Sequence, residues 1–597
     1  MSKRVVAAAA AGLALSVLAG PAFAACAMNK IAELPVTMRG LRPLVPAKIN
    51  GQELMFIADS GAFYSTINRP VAERLKLSLN YMNAGFTVGG LGGDAQAQYT
   101  VVKTFTLVGA NLPNITFLVA GSGDGDGLLG QNVLGIADVE YDLSHGAIRL
   151  VKPAGCGQTP LAYWAAKTGG ASVMNIRAPE QDNPHTIGEV TVNGVKLKAG
   201  FDTGAPVSMI TLEAAARLGI KPDSPGVESA GTSSGLGPRP LRNWIAPVAS
   251  FKIGDEEIKN TRLRIVDTDA DFGADMLIGA DFFLSHRVYV SNSQHKLYFT
   301  YNGGPVFNLT ARSMVQVGAN GTPQESKPQA PTSAGPEPTT ADGFSRRGAA
   351  LASRRDLDGA IADFSKAIEM APTEAKYYYQ RATAKMGNRQ GDQAMADLDQ
   401  AIKLAPADTE ALWARAALHM GAKNATAAVS DLDAIDRLAP QAAEVRLGMA
   451  AFYESLDRLD ASIHQYSLWI DSHAGDGRLY QALNGRCWTR ALAGKELDKA
   501  LADCNRAIRA LPKAASLLDS RGLVELRMGQ YDKAIADYDA ALALNGKLAW
   551  SLYGRGVAKL NKGMKAQGEA DLAAAKAASA SFPEQGRKYG VVAPAGG

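Results

Sequence analysis

Two aspartates of this chain stand in matching surroundings. Asp59 lies in Asp-Ser-Gly and Asp202 in Asp-Thr-Gly; the stretches around them, NGQELMFIADSGAFY from Asn50 and NGVKLKAGFDTGAPV from Asn193, superpose without a gap at an offset of 143. The match runs on, with Ala72, Arg74 and Leu75 opposite Ala215, Arg217 and Leu218. Two carboxylates can cleave an amide with water, one taking the water's proton while the other protonates the carbonyl oxygen or the leaving amine. At about 3 Å their repulsion is roughly 5 kcal/mol at an effective dielectric near 20, so only one ionises near neutrality. That division supplies an acid and a base from one residue type. Asp59 and Asp202 are the expected catalytic pair. Gly61 and Gly204 would let the two loops approach closely, and the Ser60 and Thr203 hydroxyls are placed to hydrogen-bond across the pair. An isolated tripeptide of this kind arises by chance about once in every few chains of this length, as an ordinary turn. Its repetition inside a duplicated unit points to one site built twice.

The elements around each aspartate repeat as well. Asn-Gly opens a hairpin, a mostly apolar strand runs into the acid-bearing loop, and a short helical pattern follows. Each half closes alike: Leu128, Leu129 and Gly130 fall opposite Leu277, Ile278 and Gly279, and a final hairpin begins at Val139 and at Val288. These residues resemble the retropepsin-like aspartic proteases, with both halves in one chain as in pepsin-like enzymes. The marks are the apolar-apolar-Asp-Thr/Ser-Gly-Ala loop and the later apolar pair followed by glycine, and both halves carry both. Ser60 replaces the commoner Thr and keeps the hydroxyl. The resemblance covers roughly residues 30 to 308. It implies an all-β two-lobed fold, with lobe one over 27–153 and lobe two over 160–308, and a peptide or protein substrate in the cleft between them. The Gly-rich stretches Thr87–Gln96 and Gly231–Pro240 are candidates for mobile hairpins covering that cleft. The short connection from Cys156 to Ser172 favours pairing of the lobes within one chain over pairing between chains.

Residues 1–24 read as a secretory signal: Lys3 and Arg4, an apolar run, then Ala22-Phe23-Ala24 before Ala25. Its removal lowers the formal charge from +4 to +2, which leaves no basic bias toward nucleic acid. No second stretch is apolar and long enough to span a bilayer, so a periplasmic or secreted protein is expected. Phe23-Ala24-Ala25-Cys26 also resembles a bacterial lipoprotein signal, with Phe at the usual Leu position, which would anchor Cys26 to lipid. The competing expectation is a Cys26–Cys156 bridge tying the ends of lobe one in an oxidising compartment.

Residues 313–342 hold five prolines among Ser, Thr and Gly within TPQESKPQAPTSAGPEPTTADG, a linker composition expected to separate two independently folding parts. Beyond it the period is 34: Ala360, Phe364, Ala367 and Pro372 recur as Ala394, Leu398, Ala401 and Pro406, and then as Ala428, Leu432, Ile435 and Pro440. A small residue recurs as Gly348, Ala382, Ala416, Gly522 and Gly556. The pattern resembles the tetratricopeptide repeat, about seven helix pairs over 343–580, and implies an all-α superhelix whose concave face takes a protein or peptide partner. Cys487 and Cys504 fall on facing helices of one such pair, where a bridge is expected.

Other chemistries find little footing. Four scattered cysteines and seven dispersed histidines show no metal-ligand spacing, and no metal or cofactor is expected. His145, His185, His286 and His295 read as turn or surface residues. A serine-type triad has no Gly-x-Ser-x-Gly to start from, and neither Gly-rich stretch ends in the Gly-Lys-Ser/Thr of a phosphate loop. Two functions remain: an exported aspartic endopeptidase whose repeats recruit substrate, or a repeat-based periplasmic binding or assembly protein whose protease-like part is silent.

Overall fold

A computed structural model describes residues 26–82, 87–121, 125–166, 170–178, 185–237, 239–270, 273–307 and 337–593. The signal-like segment and its cleavage point, and nearly all of the Pro-rich stretch, lie outside the described residues.

The N-terminal half is two β lobes fused along a shared sheet. In lobe one the strand Gln52–Ala58 lies between Arg42–Ile49 and Gly127–Leu129. In lobe two Val195–Phe201 lies between Ile187–Val192 and Met276–Ile278. Both hairpins turn on Asn-Gly with positive φ at each residue, 50° and 84° at Asn50 and Gly51, 47° and 83° at Asn193 and Gly194. That is the twist a two-residue hairpin turn requires. The lobes share their inner pairings. Thr66–Ile67 runs parallel to Leu118–Val119 and antiparallel to Gly127–Leu128. Met209–Thr211 runs parallel to Arg264–Val266, and Met209–Ile210 antiparallel to Met276–Leu277.

A six-stranded sheet joins the lobes, because Asp138–Asp142 of the first pairs with His286–Ser291 of the second, Val139 opposite Val290 and Tyr141 opposite Val288. Phe56, Phe105 and Phe117 pack against one another in lobe one, as Phe201, Phe282 and Phe283 do in lobe two. Buried Phe side chains of this kind each contribute about 1.5–3 kcal/mol. Glu140, fully buried in the joining sheet, accepts from Arg149 at 2.5 Å, Arg287 at 2.6 Å and Tyr163 at 2.6 Å, so its charge is neutralised where it is buried.

His286 departs from the turn or surface expectation. It is fully buried, stacked on Phe282 at 4.0 Å with Nε2 3.2 Å from Glu256, because it starts the strand that closes lobe two and faces inward. His145 sits in a short 3-10 turn and bonds Asp142 at 2.6 Å, and His295 lies in the turn before Lys296–Tyr301.

Among the described residues of the C-terminal half, fourteen helices from Ala341–Ser353 to Lys565–Ala578 form seven antiparallel pairs, followed by the short helix Phe582–Lys588. The recurrent small residues sit where the next helix presses in. A Cβ on Gly348 would lie 2.9 Å from the Phe364 ring, one on Gly522 3.0 Å from Tyr538, and one on Gly556 3.0 Å from Leu572. Six pairs also carry a half-buried fork. Arg347, Arg381, Arg415, Arg486, Arg521 and Arg555 each grip an aspartate of the following helix through two bonds, Asp363, Asp397, Asp431, Asp503, Asp537 and Asp571 respectively, at 2.6–3.0 Å.

The helical half begins at Ala341, two residues inside the expected linker, because the Thr340 side chain caps the helix by accepting from the Gly343 amide. Nor do the two halves stand apart. Ala349, Ala350, Ala360, Phe364 and Ala384 belong to the same apolar core as lobe one, Arg39 pairs with Glu410 at 2.9 Å, and Tyr480 bonds Thr232 of lobe two at 2.9 Å. Apolar residues at the start of the repeat array have no preceding repeat to pack on, and lobe one supplies the missing surface. Disulfides join Cys26 to Cys156 and Cys487 to Cys504. A sulfur held in a disulfide is not available to carry a lipid.

Candidate active site

The two acid-bearing loops meet at the junction of the lobes. Each hydroxyl reaches into the opposite loop: the Ser60 amide donates to Thr203 Oγ1 at 3.0 Å and the Thr203 amide to Ser60 Oγ at 3.0 Å. Thr203 Oγ1 donates in turn to the Ala58 carbonyl at 2.7 Å, and Ser60 Oγ to the Phe201 carbonyl at 2.9 Å. Both hydroxyls are buried, so these crossed bonds are shielded from competing water and hold the loops in fixed register.

That register brings Asp59 and Asp202 together. The two carboxyl groups are within hydrogen-bonding reach of one another; Asp59 Oδ1 accepts from the Gly61 amide at 2.9 Å and Asp202 Oδ1 from the Gly204 amide at 2.8 Å. Burial, with the neighbouring Asp202 charge, holds the Asp59 carboxyl well above its ordinary value, against the pull of the amides. Glycine is required on both sides. A Cβ on Gly61 would fall 2.5 and 2.6 Å from the Asp202 carboxylate oxygens, and one on Gly204 would overlap the Asp59 carboxyl.

The closing glycines have the same character. A Cβ on Gly130 would lie 2.8 Å from the Ala62 carbonyl oxygen, and one on Gly279 2.8 Å from that of Ala205. Their amides donate to Ser65 Oγ at 3.1 Å and Ser208 Oγ at 2.9 Å, tying the floor of each lobe to its acid-bearing loop.

Several residues at the site were not singled out from the sequence. Tyr141, on the joining sheet, is buried beneath the loops and hydrogen-bonds Ser60. Gln131 donates to the Ser60 carbonyl at 2.8 Å. His185, expected on a turn or surface, lines the cleft. Burial lowers its basicity, opposed by the Asp202 charge and the Gly61 backbone. The position just after Gly130, and the apolar residue in Val-Glu-Tyr-Asp, were available signals; nothing local marked His185.

Over the site, the strands Thr87–Gly90 and Gly93–Gln96 form a hairpin whose tip meets lobe two. The Gly92 amide donates to the Leu236 carbonyl at 2.8 Å and Thr268 Oγ1 to the Leu91 carbonyl at 2.8 Å. Above this roof stands the concave face of the helices. Cleft and helices together bound one cavity of about 4040 Å³, with Asp59 and Asp202 at one side and Tyr379, Leu447 and Tyr480 at the other. Among the described residues no group of His, Cys, Asp or Glu has the arrangement of a metal site.

A model described as "Aspartyl protease" matches residues 45–133 and 188–282, the segments that carry both loops and both closing motifs. Repeat models match residues 375–408, as a tetratricopeptide repeat, and 522–563, as a TPR repeat. The chain couples an aspartyl protease domain to tetratricopeptide repeats. Comparison with curated proteins finds no match. Solved structures similar to it are TPR proteins. YrrB, described as having an unusual peptide-binding site, is 17% identical over 32% of this chain and 97% of its own, with a TM-score of 0.30. A repeat protein from Parabacteroides merdae is 15% identical over 42% and 98%, with a TM-score of 0.32. PilW, a type IV pilus biogenesis factor, is 19% identical over 35% and 96%, with a TM-score of 0.30.

Proposed function

We propose that this protein is an exported aspartic endopeptidase whose repeats deliver a polypeptide to the cleft. The observation that carries the proposal is the crossed Ser60 and Thr203 hydrogen bonding, which sets two carboxyl groups face to face with one of them held protonated. Burial and the neighbouring Asp202 favour the protonated form of Asp59, which gives Asp59 the role of acid and leaves the role of base to its partner. A water between them loses its proton to Asp202 as it attacks the peptide carbonyl, while Asp59 protonates the carbonyl oxygen. As the tetrahedral adduct collapses, the C–N bond breaks, Asp202 passes the captured proton to the leaving amine, and an adduct hydroxyl returns its proton to Asp59 as the carbonyl re-forms, which restores the pair. No step needs a metal or cofactor.

The shared cavity supports the role given to the repeats. A chain lying on the concave face already lies beside the cleft, which raises its effective concentration there. The contacts of Gly92 with Leu236 must open to admit it, so hairpin movement is part of turnover. Two disulfides suit an oxidising compartment, and no helix among the described residues is long and apolar enough to cross a membrane. The test is cleavage of a peptide library by the wild type and by separate Asp59→Asn and Asp202→Asn variants. Loss in both, with folding intact, is expected; full cleavage in both would end the proposal.

A further inference from the structure

Because the lobes are duplicates, each wall position of the cleft has a counterpart, and at one of them the pair is chemically unlike. Thr66 of lobe one stands opposite Leu118, and Met209 of lobe two opposite Arg264, with Thr66 and Met209 separated by the same 143 residues as Asp59 and Asp202. All four line the cavity that contains the two aspartates. One side therefore presents an apolar group and the other a guanidinium at the equivalent place.

Arg264 has no structural task that accounts for it. Its strand neighbours Leu263 and Ile265 are fully buried in the lobe-two core, so alternation along the strand turns Arg264 to the opposite face, toward the cleft. Nearby arginines have carboxylate partners: Arg262, whose Nε is likewise without a hydrogen-bond partner, pairs with Glu228 at 3.0 Å, Arg242 with Asp267 at 2.7 Å, and Arg239 with Asp269. Among the described residues Arg264 makes no ion pair, and its Nε is shut off from solvent without a hydrogen-bond partner. Burial lowers its basicity, and the one carboxylate that opposes this, Asp281, is already engaged by the Ser208 amide at 2.9 Å and hydroxyl at 2.7 Å. A half-buried guanidinium left in this state is costly, and a carboxylate arriving in the cleft would relieve the cost with paired charge-assisted bonds.

We infer that Arg264 forms a subsite for an acidic side chain, so that the cleft holds a polypeptide with Asp or Glu on the lobe-two side and an apolar residue against Leu118 on the lobe-one side. The inference rests on the proposed peptide-binding role of the cleft and deepens it: a pseudo-symmetric site becomes directional, because only one orientation of the chain meets both walls. Arg264 acts on binding and orientation and takes no part in proton transfer.

The test separates this inference from the proposed chemistry by reading binding without turnover. The full-length Asp59→Asn protein is incubated with end-blocked decapeptides randomised at six central positions, and the retained peptides are read by mass spectrometry. Asp and Glu should be enriched about tenfold over Asn and Gln at one position, the scale of one charge-assisted contact. Enrichment should vanish when Arg264→Leu is added, persist in part with Arg264→Lys, and appear at a second position with Leu118→Arg. Melting curves exclude misfolded variants, and Arg264→Lys keeps the question answerable if the leucine variant fails to fold. Equal enrichment with and without Arg264→Leu, or no acidic enrichment in the parent, would overturn the inference. Absence of cleavage by the wild type would instead count against the dyad and leave the retained-peptide result to decide the subsite.

Discussion

Replacing Asp59 by Asn should stabilise the two-lobed half at neutral pH and leave it unchanged in strong acid. The Asp59 carboxyl is held well above its ordinary value of 3.8, chiefly by burial and next by Asp202. A folded value raised in this way gives a contribution to stability that is complete below about pH 4 and is lost as pH climbs toward the folded value. Above 3.8 the unfolded chain releases the proton while the folded chain keeps it. Each further pH unit then costs the folded state about 1.4 kcal/mol, until the folded carboxyl ionises as well. Asparagine escapes this cost. Its Oδ1 can still accept from the Gly61 amide, now at 2.9 Å, and its NH2 can donate to Asp202. In a unit of this size about 1 kcal/mol corresponds to roughly 2–4 °C in Tm. Calorimetry of both full-length proteins from pH 3 to pH 8 should therefore show coincident melting of the lobes at pH 3 and a gap that widens above pH 4 and then levels. The pH of levelling reports where the folded pair loses its proton. Equal Tm throughout, or a variant less stable at pH 7, would refute the account of a mutually destabilised pair.

Gly61→Ala places a methyl 2.5–2.6 Å from the Asp202 oxygens, whereas a carbon needs about 3.5 Å, so the loops must part by roughly 1 Å. Cleavage should fall about 100-fold for such a displacement, with about 1–3 kcal/mol lost from stability, and steady-state kinetics beside urea unfolding would check both. In the repeats, Asp431→Ala strips Arg415 of its two-bond partner; because Arg415 is 24% exposed, we expect a loss of about 2 kcal/mol in chemical denaturation, less than for a fully buried pair. Arg415→Met with Asp431→Leu should recover most of that loss.

Local chemistry was open to reading in the chain wherever it depended on neighbours in sequence. Asn-Gly at 50–51 and 193–194 marked both hairpins because positive φ at two consecutive residues is a demand few other dipeptides meet. The 34-residue period marked the helix pairs because each repeat must bury the same seam. The Arg–Asp forks share that period, with Arg347, Arg381 and Arg415 spaced by 34, so a signal for them was present. The fourth unit lacks it, since Met449 and Gln465 stand at the corresponding positions, and Arg446 bonds Gln465 instead.

What the sequence by itself determined is the pair of acid-bearing loops, their glycines and hydroxyls, and a repeat array behind a Pro-rich segment. Each follows from a short motif or a fixed period. Tertiary structure alone decided the rest: that Tyr141 lies under the loops, that His286 is core, that Arg264 and Leu118 line the cleft at equivalent places of the two lobes, and that the repeats bound the same cavity as the site. Those relations join residues from one lobe to the other or from lobe to helix. They arise when apolar surfaces left uncovered within each unit find one another, and local sequence carries no record of which surface that will be.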